Sequence, residues 1–166
     1  MKILILSAAT GGGHLRASRA IRDYFVQNDP GSEVEVVDAM KSVGPLVDRT
    51  VCDGYHILAT KTPKLFGKLY RATNRKTPLF DLMNRFSCQF SRLLYPAVEH
   101  SAPDAIISTH PFATEMVSHL KGLGAVGVPL ITLMTDYGPH LAWIAEHVDA
   151  YVVADAGMIP QMEGMG

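Results

Sequence analysis

The chain has 166 residues, of which 48% are hydrophobic and 19% are charged, and its formal net charge is −1 at pH 7. This composition predicts one globular domain over residues 1–166 and excludes a disordered chain. A net charge near zero gives no indication of a polyanionic partner.

The first predicted element is a buried parallel strand, because residues 2–7 form the short apolar run KILILS. A glycine-rich loop follows it. Apolar residues then recur at helical spacing from Gly13 to about Gln27, where NDPG ends the pattern. A strand, a glycine loop and a helix in this order mark the place where open α/β sheets bind ligands.

The glycine loop does not fit the common nucleotide motifs. A dinucleotide fingerprint needs a small residue where this loop has Arg16, and no Gly-Lys-Ser/Thr run of a P-loop is present. Backbone N–H groups at a helix N-terminus still bind anions, and a histidine titrates in the range of a general base. The alternative is a tight turn in which the histidine caps the helix. The candidate residues are Thr10, Gly11, Gly12, Gly13 and His14.

The middle of the chain is predicted to be helical. Residues 32–40 (SEVEVVDAM) indicate a second strand that ends at Asp38, and residues 45–100 contain no strand pattern. They predict two or three helices, separated at the two Lys-Thr-Pro sequences at 61–63 and 76–78.

Strands and helices alternate again after residue 100. Strand patterns cover 104–111, 128–136 and 149–155, a helix covers 112–124, and the chain ends in a short helical pattern. The alternation predicts an α/β fold with a doubly wound, mainly parallel, Rossmann-like sheet, for which we expect the strand order 3-2-1-4-5. The polar residues of the loop, Asp38, His110 and the segment 136–140 would then meet at the carboxyl edge of the sheet.

Charge is distributed unevenly along the chain. Between residues 61 and 92 lie eight of the fifteen basic residues and one of the sixteen acidic ones. Five of the basic residues recur at steps of three or four and predict one face of a helix: Lys61, Lys64, Lys68, Arg71 and Arg75. With nearby aromatic residues, this face is typical of an element that docks on an anionic membrane surface. The alternative is a solvated charged face; nucleic acid is not expected, because no recognition module is present.

Three motifs carry a resemblance to a known family. TGGGHLRAS (10–18), STHPF (108–112) and TDYGPHLAWIAEHVDAYVVAD (135–155) resemble the amino-terminal half of monogalactosyldiacylglycerol synthases and processive diacylglycerol glucosyltransferases. The resemblance covers nearly the whole chain and is weakest over residues 40–100. It implies the GT-B architecture of two facing domains, and an inverting transfer of glucose or galactose from a UDP-sugar to diacylglycerol.

The resemblance also implies roles for single residues. His14 matches the loop histidine expected to be the base, and the amides of Gly11 to Gly13 would line the cleft. Asp136 would orient or stabilise the imidazolium, or else merely cap a strand. His140 and Trp143 lie in the segment that resembles the acceptor-binding loop, with Trp143 either exposed to lipid or buried in the core. His110 either lines the cleft or has a structural role.

The rest of the resembling enzyme would lie outside this chain. A carboxyl-terminal domain would bind the UDP-sugar, which is a substrate, so no cofactor is expected and this domain alone would not turn over. No metal site is expected either, since Gly138 and Pro139 keep Asp136 and His140 off one helix face.

The predicted location is cytoplasmic and peripheral to the membrane. The two cysteines lack metal-ligand spacing, and no apolar stretch reaches the roughly 18 residues of a membrane span. Two alternatives remain open: a GT-B domain for another lipid-linked acceptor of the peptidoglycan-precursor type, and a non-catalytic nucleotide- or lipid-binding module.

Overall fold

The structure is a computed structural model that describes residues 1–9 and 12–165. Its strands are β1 (Lys2–Ser7), β2 (Glu33–Asp38), β3 (Ala105–Ser108), β4 (Leu130–Leu133) and β5 (Ala150–Val152). Its helices are α1 (Gly13–Asn28), α2 (Ala39–Val43), α3 (Pro45–Lys61), α4 (Pro63–Thr73), α5 (Pro78–Ser101), α6 (Pro111–Gly122) and α7 (Ile159–Glu163). Short 3-10 turns occupy Leu141–Trp143 and Ala156–Met158. The predicted α/β class and the order of elements along the chain are confirmed.

The five strands form one parallel sheet in the order β2-β1-β3-β4-β5. The expected order 3-2-1-4-5 is wrong, because β3 pairs with β1 rather than with β2, and Ile5 lies opposite Ile107. Burial explains the difference. β2 carries the exposed Glu33 and Glu35 and suits the edge of the sheet, whereas Ile106 of β3 is fully buried.

This strand order places a topological switch point between β1 and β3. The chain leaves β1 toward β2 on one side, and it returns to β3 on the other side of β1. Ligands of open α/β sheets bind outside the carboxyl ends of the strands at such a point. Here the two loops at the switch point lead into α1 and α6.

The core lies between the sheet and the helices α2, α5 and α6. Side chains such as Leu4, Leu94, Ile106 and Val117 are completely buried there. A smaller apolar cluster under β4 and β5 contains Trp143 and three methionines. Both clusters fix the strands whose carboxyl ends carry the site.

The helical segment between β2 and β3 is divided by proline. Pro63 and Pro78 occupy the first positions of α4 and α5, where a missing N–H costs nothing. The expectation that five basic residues share one helix face is therefore wrong. Lys61 ends α3, Arg75 follows α4, and only Lys64, Lys68 and Arg71 lie in α4.

Candidate functional site

His14 is positioned by the turn between β1 and α1. Gly12 has a φ of 73°, a conformation that glycine adopts without steric cost, and it stands immediately before the first residue of α1. His14 is the second residue of that helix. Gly13 is exposed. Thr10 and Gly11, two further candidate residues of the glycine loop, lie outside the described residues.

The imidazole of His14 is held through Nδ1. This nitrogen lies 2.6 Å from the carbonyl oxygen of Thr109 and 2.9 Å from Oγ1 of Thr135. A carbonyl oxygen only accepts hydrogen bonds, so Nδ1 carries the proton in the neutral ring. Nε2 then has the free lone pair, and none of the described residues hydrogen-bonds to it. The arrangement can take a proton from a hydroxyl group.

Burial lowers the pKa of His14 below its ordinary value. The hydrogen bond to the Thr109 carbonyl oxygen and the negative charge of Asp136 act in the opposite direction but do not reverse the shift. At neutral pH the imidazole is therefore uncharged, which is the state that a general base requires.

Thr109 is fixed by a buried network of hydroxyl groups. Its backbone N–H donates to the carbonyl oxygen of Leu6 at 2.9 Å. Its hydroxyl oxygen lies 2.9 Å from Oγ of Ser18 and 3.1 Å from Oγ of Ser7. All three hydroxyl-bearing residues have no solvent exposure. The network ties the ends of β1 and β3 to α1, and it holds the carbonyl oxygen that His14 contacts.

His110 has a structural bond and also lies against His14. Its Nδ1 accepts a hydrogen bond from the N–H of Phe112 at the start of α6, and only 4% of the residue is exposed. The two histidine rings meet edge to face, with centroids 4.6 Å apart. Burial, and next the proximity of His14, hold the pKa of His110 well below its ordinary value. His110 is therefore neutral, and it also lines the cavity described below.

Asp136 and Trp143 are bonded to each other. The indole Nε1–H donates to Oδ2 of Asp136 at 2.8 Å, and Trp143 is 1% exposed. The sequence left open whether this tryptophan is exposed to lipid or buried, and in the structure it is buried. Asp136 does not hydrogen-bond to His14, and its carboxylate affects the imidazole through its charge. The contacts that orient the ring come from Thr109 and Thr135.

His140 connects the loop after β4 to α4. Its Nδ1 accepts from the N–H of Ala142 at 3.0 Å, and its Nε2–H donates to the carbonyl oxygen of Tyr70 at 2.9 Å. The N–H of Leu141 donates to Oδ1 of Asn74 at 2.8 Å, just after α4. These bonds fix the end of α4 against the sheet.

A cavity of about 320 Å³ opens beside His14. Its polar lining residues include His14, His110, Asp136 and His140. Helices α3, α4 and α5 contribute apolar lining residues, among them Leu58, Phe66, Leu69, Leu79 and Met83. Tyr70 and Leu79 line the cavity and are also 39% and 37% exposed, so they mark its opening.

Exposed basic and apolar side chains lie on α4 and α5, the two helices that carry Tyr70 and Leu79. Lys64, Lys68 and Arg71 of α4 are all exposed. So are Leu65, Leu82 and Phe86, at 48%, 63% and 45%. We call these six residues, together with Tyr70 and Leu79, the α4–α5 surface. The remaining predicted members, Lys61 and Arg75, are exposed at the two ends of α4.

Sequence reasoning missed Thr109 and Thr135. A signal for both was present, since each lies near the carboxyl end of a predicted strand, in the sequences STHP and MTD. The carboxyl ends of neighbouring parallel strands bring such residues together.

Within residues 1–9 and 12–165, no three His, Cys, Asp or Glu side chains are placed to hold a metal ion. No helix in that part of the chain has the length and hydropathy needed to cross a membrane.

Comparison with known proteins assigns the chain to a family. The family model described as monogalactosyldiacylglycerol (MGDG) synthase matches residues 14–166. Proteins named processive diacylglycerol beta-glucosyltransferase are similar to the chain: that of Bacillus cytotoxicus is 27% identical, and those of Bacillus thuringiensis and Bacillus mycoides are 26% identical. Each alignment covers 92% of this chain and 38% of the relative, so the chain spans well under half of the relatives' length. The chain belongs to the monogalactosyldiacylglycerol synthase family.

Proposed function

We propose that this chain is the acceptor-binding and membrane-docking domain of an inverting glycosyltransferase that moves glucose or galactose from a UDP-sugar to diacylglycerol. One observation carries the proposal: a neutral histidine, whose Nε2 has no hydrogen-bond partner among the described residues, lines a cavity to which three helices contribute apolar side chains. Diacylglycerol has the matching chemistry, with one free hydroxyl group on two acyl chains.

The reaction assigns one task to His14. Nε2 takes the proton of the acceptor hydroxyl as its oxygen forms a bond to the anomeric carbon of the sugar. The bond from that carbon to the phosphate oxygen breaks on the opposite face, and its electron pair leaves with UDP. The UDP-sugar would be bound mainly by a second domain, as the GT-B architecture implies.

The α4–α5 surface is proposed to bring the cavity to the lipid. Its basic residues attract anionic headgroups at about 1 kcal/mol each, and its exposed apolar side chains enter the interface. Because Tyr70 and Leu79 belong both to this surface and to the cavity, a bound membrane would face the opening. Diacylglycerol could then enter without leaving the bilayer.

The single tryptophan of the chain provides a direct test, because Trp143 lines the cavity. Bromine atoms on acyl chains quench tryptophan fluorescence on contact. Vesicles containing diacylglycerol with brominated chains should quench Trp143 more than vesicles with the same amount of brominated phosphatidylcholine, which lacks the free hydroxyl. Equal quenching by the two lipids would contradict an acceptor site for diacylglycerol.

A pair of variants controls this measurement. Leu79→Asp places a charge at the opening, while its position in the first turn of α5 suits an acidic residue. Val26→Asp makes the same change on α1, at a residue that is 59% exposed and does not line the cavity. We expect the first variant to lose the quenching and the second to keep it.

A further inference from the structure

His14 has no carboxylate bonded to its Nδ1, although Asp136 directly follows one of its contacts, Thr135. We infer that Thr135 is a positioning residue for His14: its hydroxyl oxygen, with the carbonyl oxygen of Thr109, holds the Nδ1–H and fixes the tautomer whose Nε2 is unprotonated. The inference rests on the proposed function only where it assigns Nε2 the removal of the acceptor's hydroxyl proton.

The two distances decide which nitrogen carries the proton. If Nδ1 had a lone pair, it would face the lone pairs of the Thr109 carbonyl oxygen at 2.6 Å, which is repulsive. With the proton on Nδ1, both oxygens accept from it, and the contact with Thr135 at 2.9 Å becomes the second arm of a shared hydrogen bond. The geometry is satisfied by one tautomer only.

The fold explains why threonine residues occupy these places. Thr109 directly follows β3, and Thr135 comes two residues after β4, the adjacent parallel strand. Their oxygen atoms therefore reach one ring from neighbouring strand ends. Asp136, the next residue, is directed to the indole Nε1–H of Trp143. The hydroxyl of Thr135 thus occupies the position at which many histidine bases have a carboxylate.

Two acceptors on Nδ1–H also suit the protonated ring. When Nε2 takes a proton, the positive charge spreads over both N–H groups, and hydrogen bonds to a charged donor are stronger than those to a neutral one. The titratable groups facing His14 are His110, whose ring lies 4.6 Å away, and Asp136. Removing the Thr135 hydroxyl should therefore disfavour the imidazolium.

The same structure contains two histidines of the opposite tautomer. Nδ1 of His110 accepts from Phe112, and Nδ1 of His140 accepts from Ala142, so both have their proton on Nε2. The tautomers of these two rings are internal references. A loss of folding would change them together with that of His14, whereas a local effect at His14 would leave both as Nε2–H tautomers.

The test is a long-range ¹⁵N–¹H NMR spectrum of the chain labelled at histidine, recorded across a pH series. In the unmodified chain we expect His14 as the Nδ1–H tautomer and His110 and His140 as Nε2–H tautomers. Thr135→Val should shift the His14 signals toward a mixture of tautomers and lower the pKa of the ring. Thr135→Ser, which keeps a hydroxyl, should restore both. A Thr135→Val chain with one unchanged Nδ1–H tautomer would overturn the inference.

A kinetic measurement on the protein that contains the donor domain adds an independent result. Thr135→Val should reduce kcat by about threefold to tenfold, the size of one hydrogen bond, with KM unchanged. It should also move the acidic limb of the pH profile of kcat to lower pH, because activity is lost there as His14 becomes protonated. Failure of the proposed function would appear as an unaffected rate in His14→Ala, while the NMR result tests the positioning of the ring whether or not sugar is transferred.

Discussion

Two regions of the molecule line the cavity, and they are held by different kinds of hydrogen bond. One is the carboxyl edge of the sheet together with the start of α1, which we call the rim; the other consists of helices α3, α4 and α5. At the rim, the bonds join residues that are far apart in the chain. Ser18 and Thr109 are separated by 91 positions, and Thr135 and His14 by 121. In α4 and α5 the bonds include hydroxyl groups that bond back three or four residues within their own helix, as Thr73 does to Leu69, Ser87 to Met83 and Ser91 to Cys88.

This difference separates two tasks. The rim cannot change without disturbing three strands at once, so it can hold an imidazole ring in a fixed orientation, as acid–base chemistry requires. The helices depend on local bonds and apolar packing, and they carry the exposed α4–α5 surface. Helices held in this way can contact a deformable surface such as a bilayer.

The two regions are joined at the end of α4. His140 bonds to the carbonyl oxygen of Tyr70, and Leu141 bonds to the side chain of Asn74, across 70 and 67 positions of sequence. These are the bonds by which a membrane-bound α4 would be kept in register with His14.

The first way to test the separation is to remove the base. His14→Ala, made in the protein that contains the donor domain, should reduce turnover by about 100-fold to 10,000-fold, the range of general-base catalysis. Affinity for the UDP-sugar and for vesicles should stay close to that of the parent, because the side chain belongs only to the rim. His100→Ala, at an exposed histidine near the end of α5, is the control. An unchanged turnover would remove His14 from the mechanism.

The second test removes charge from the helical layer. Replacing Lys64, Lys68 and Arg71 by glutamine should weaken binding to anionic vesicles by about 100-fold at low salt, since each charge contributes about 1 kcal/mol. The dependence of binding on salt should become flatter. Co-sedimentation across a salt series measures both.

A matched variant controls for total charge. Arg19, Arg22 and Lys41 are exposed and lie outside the α4–α5 surface, so their replacement by glutamine removes the same charge elsewhere. Equal loss in the two triple variants would mean that binding follows net charge and that α4 has no special part in it.

The third test loosens the connection between the regions. His140→Ala should lower the free energy of unfolding by about 2 kcal/mol, because it removes the cap on Ala142 and the donor to Tyr70 from a buried position. His140→Asn should recover about 1 kcal/mol, since asparagine caps the turn but does not reach α4. Urea unfolding measures both, and equal stability of the two variants would contradict a separate contribution from the cap.

Much of the fold could be predicted because its signals are local. The glycine loop, the two Thr-Pro breaks and the alternation of apolar runs with helices lie in short stretches of sequence. The position of β3 in the sheet has no such local signal. It depends on which strand can have an exposed face at the edge, and the charges of Glu33 and Glu35 in β2 are the hint that the sequence gives. Spacing likewise predicted that Arg75 lies on the same helix as Lys64 and Lys68, but α4 ends before it, with Asn74 as its C-cap.

The site could be predicted as a set of positions but not as a set of bonds. Strand ends indicated where His14, His110 and Asp136 would meet. Which oxygen atoms contact Nδ1 depends on packing between segments more than 90 residues apart. The bond between Asp136 and Trp143 spans only seven residues but depends on the rotamers of both side chains. The burial of Trp143 likewise follows from a 3-10 turn that folds it into the smaller core cluster.

The smallest expected effect concerns pH and the rim alone. His110 has a pKa well below its ordinary value of 6.5 in the folded chain, so below about pH 6.5 the unfolded chain binds a proton that the folded chain does not. Its contribution to stability is therefore complete above that pH and is lost as the pH falls, so the chain should be less stable at pH 5.5 than at pH 7.5. His110→Asn keeps a residue that can cap α6 and removes the titration. Urea unfolding at the two pH values should show a smaller pH difference for this variant than for the parent. An equal difference would assign the acid sensitivity to other groups, His14 among them, whose pKa is lowered in the same direction.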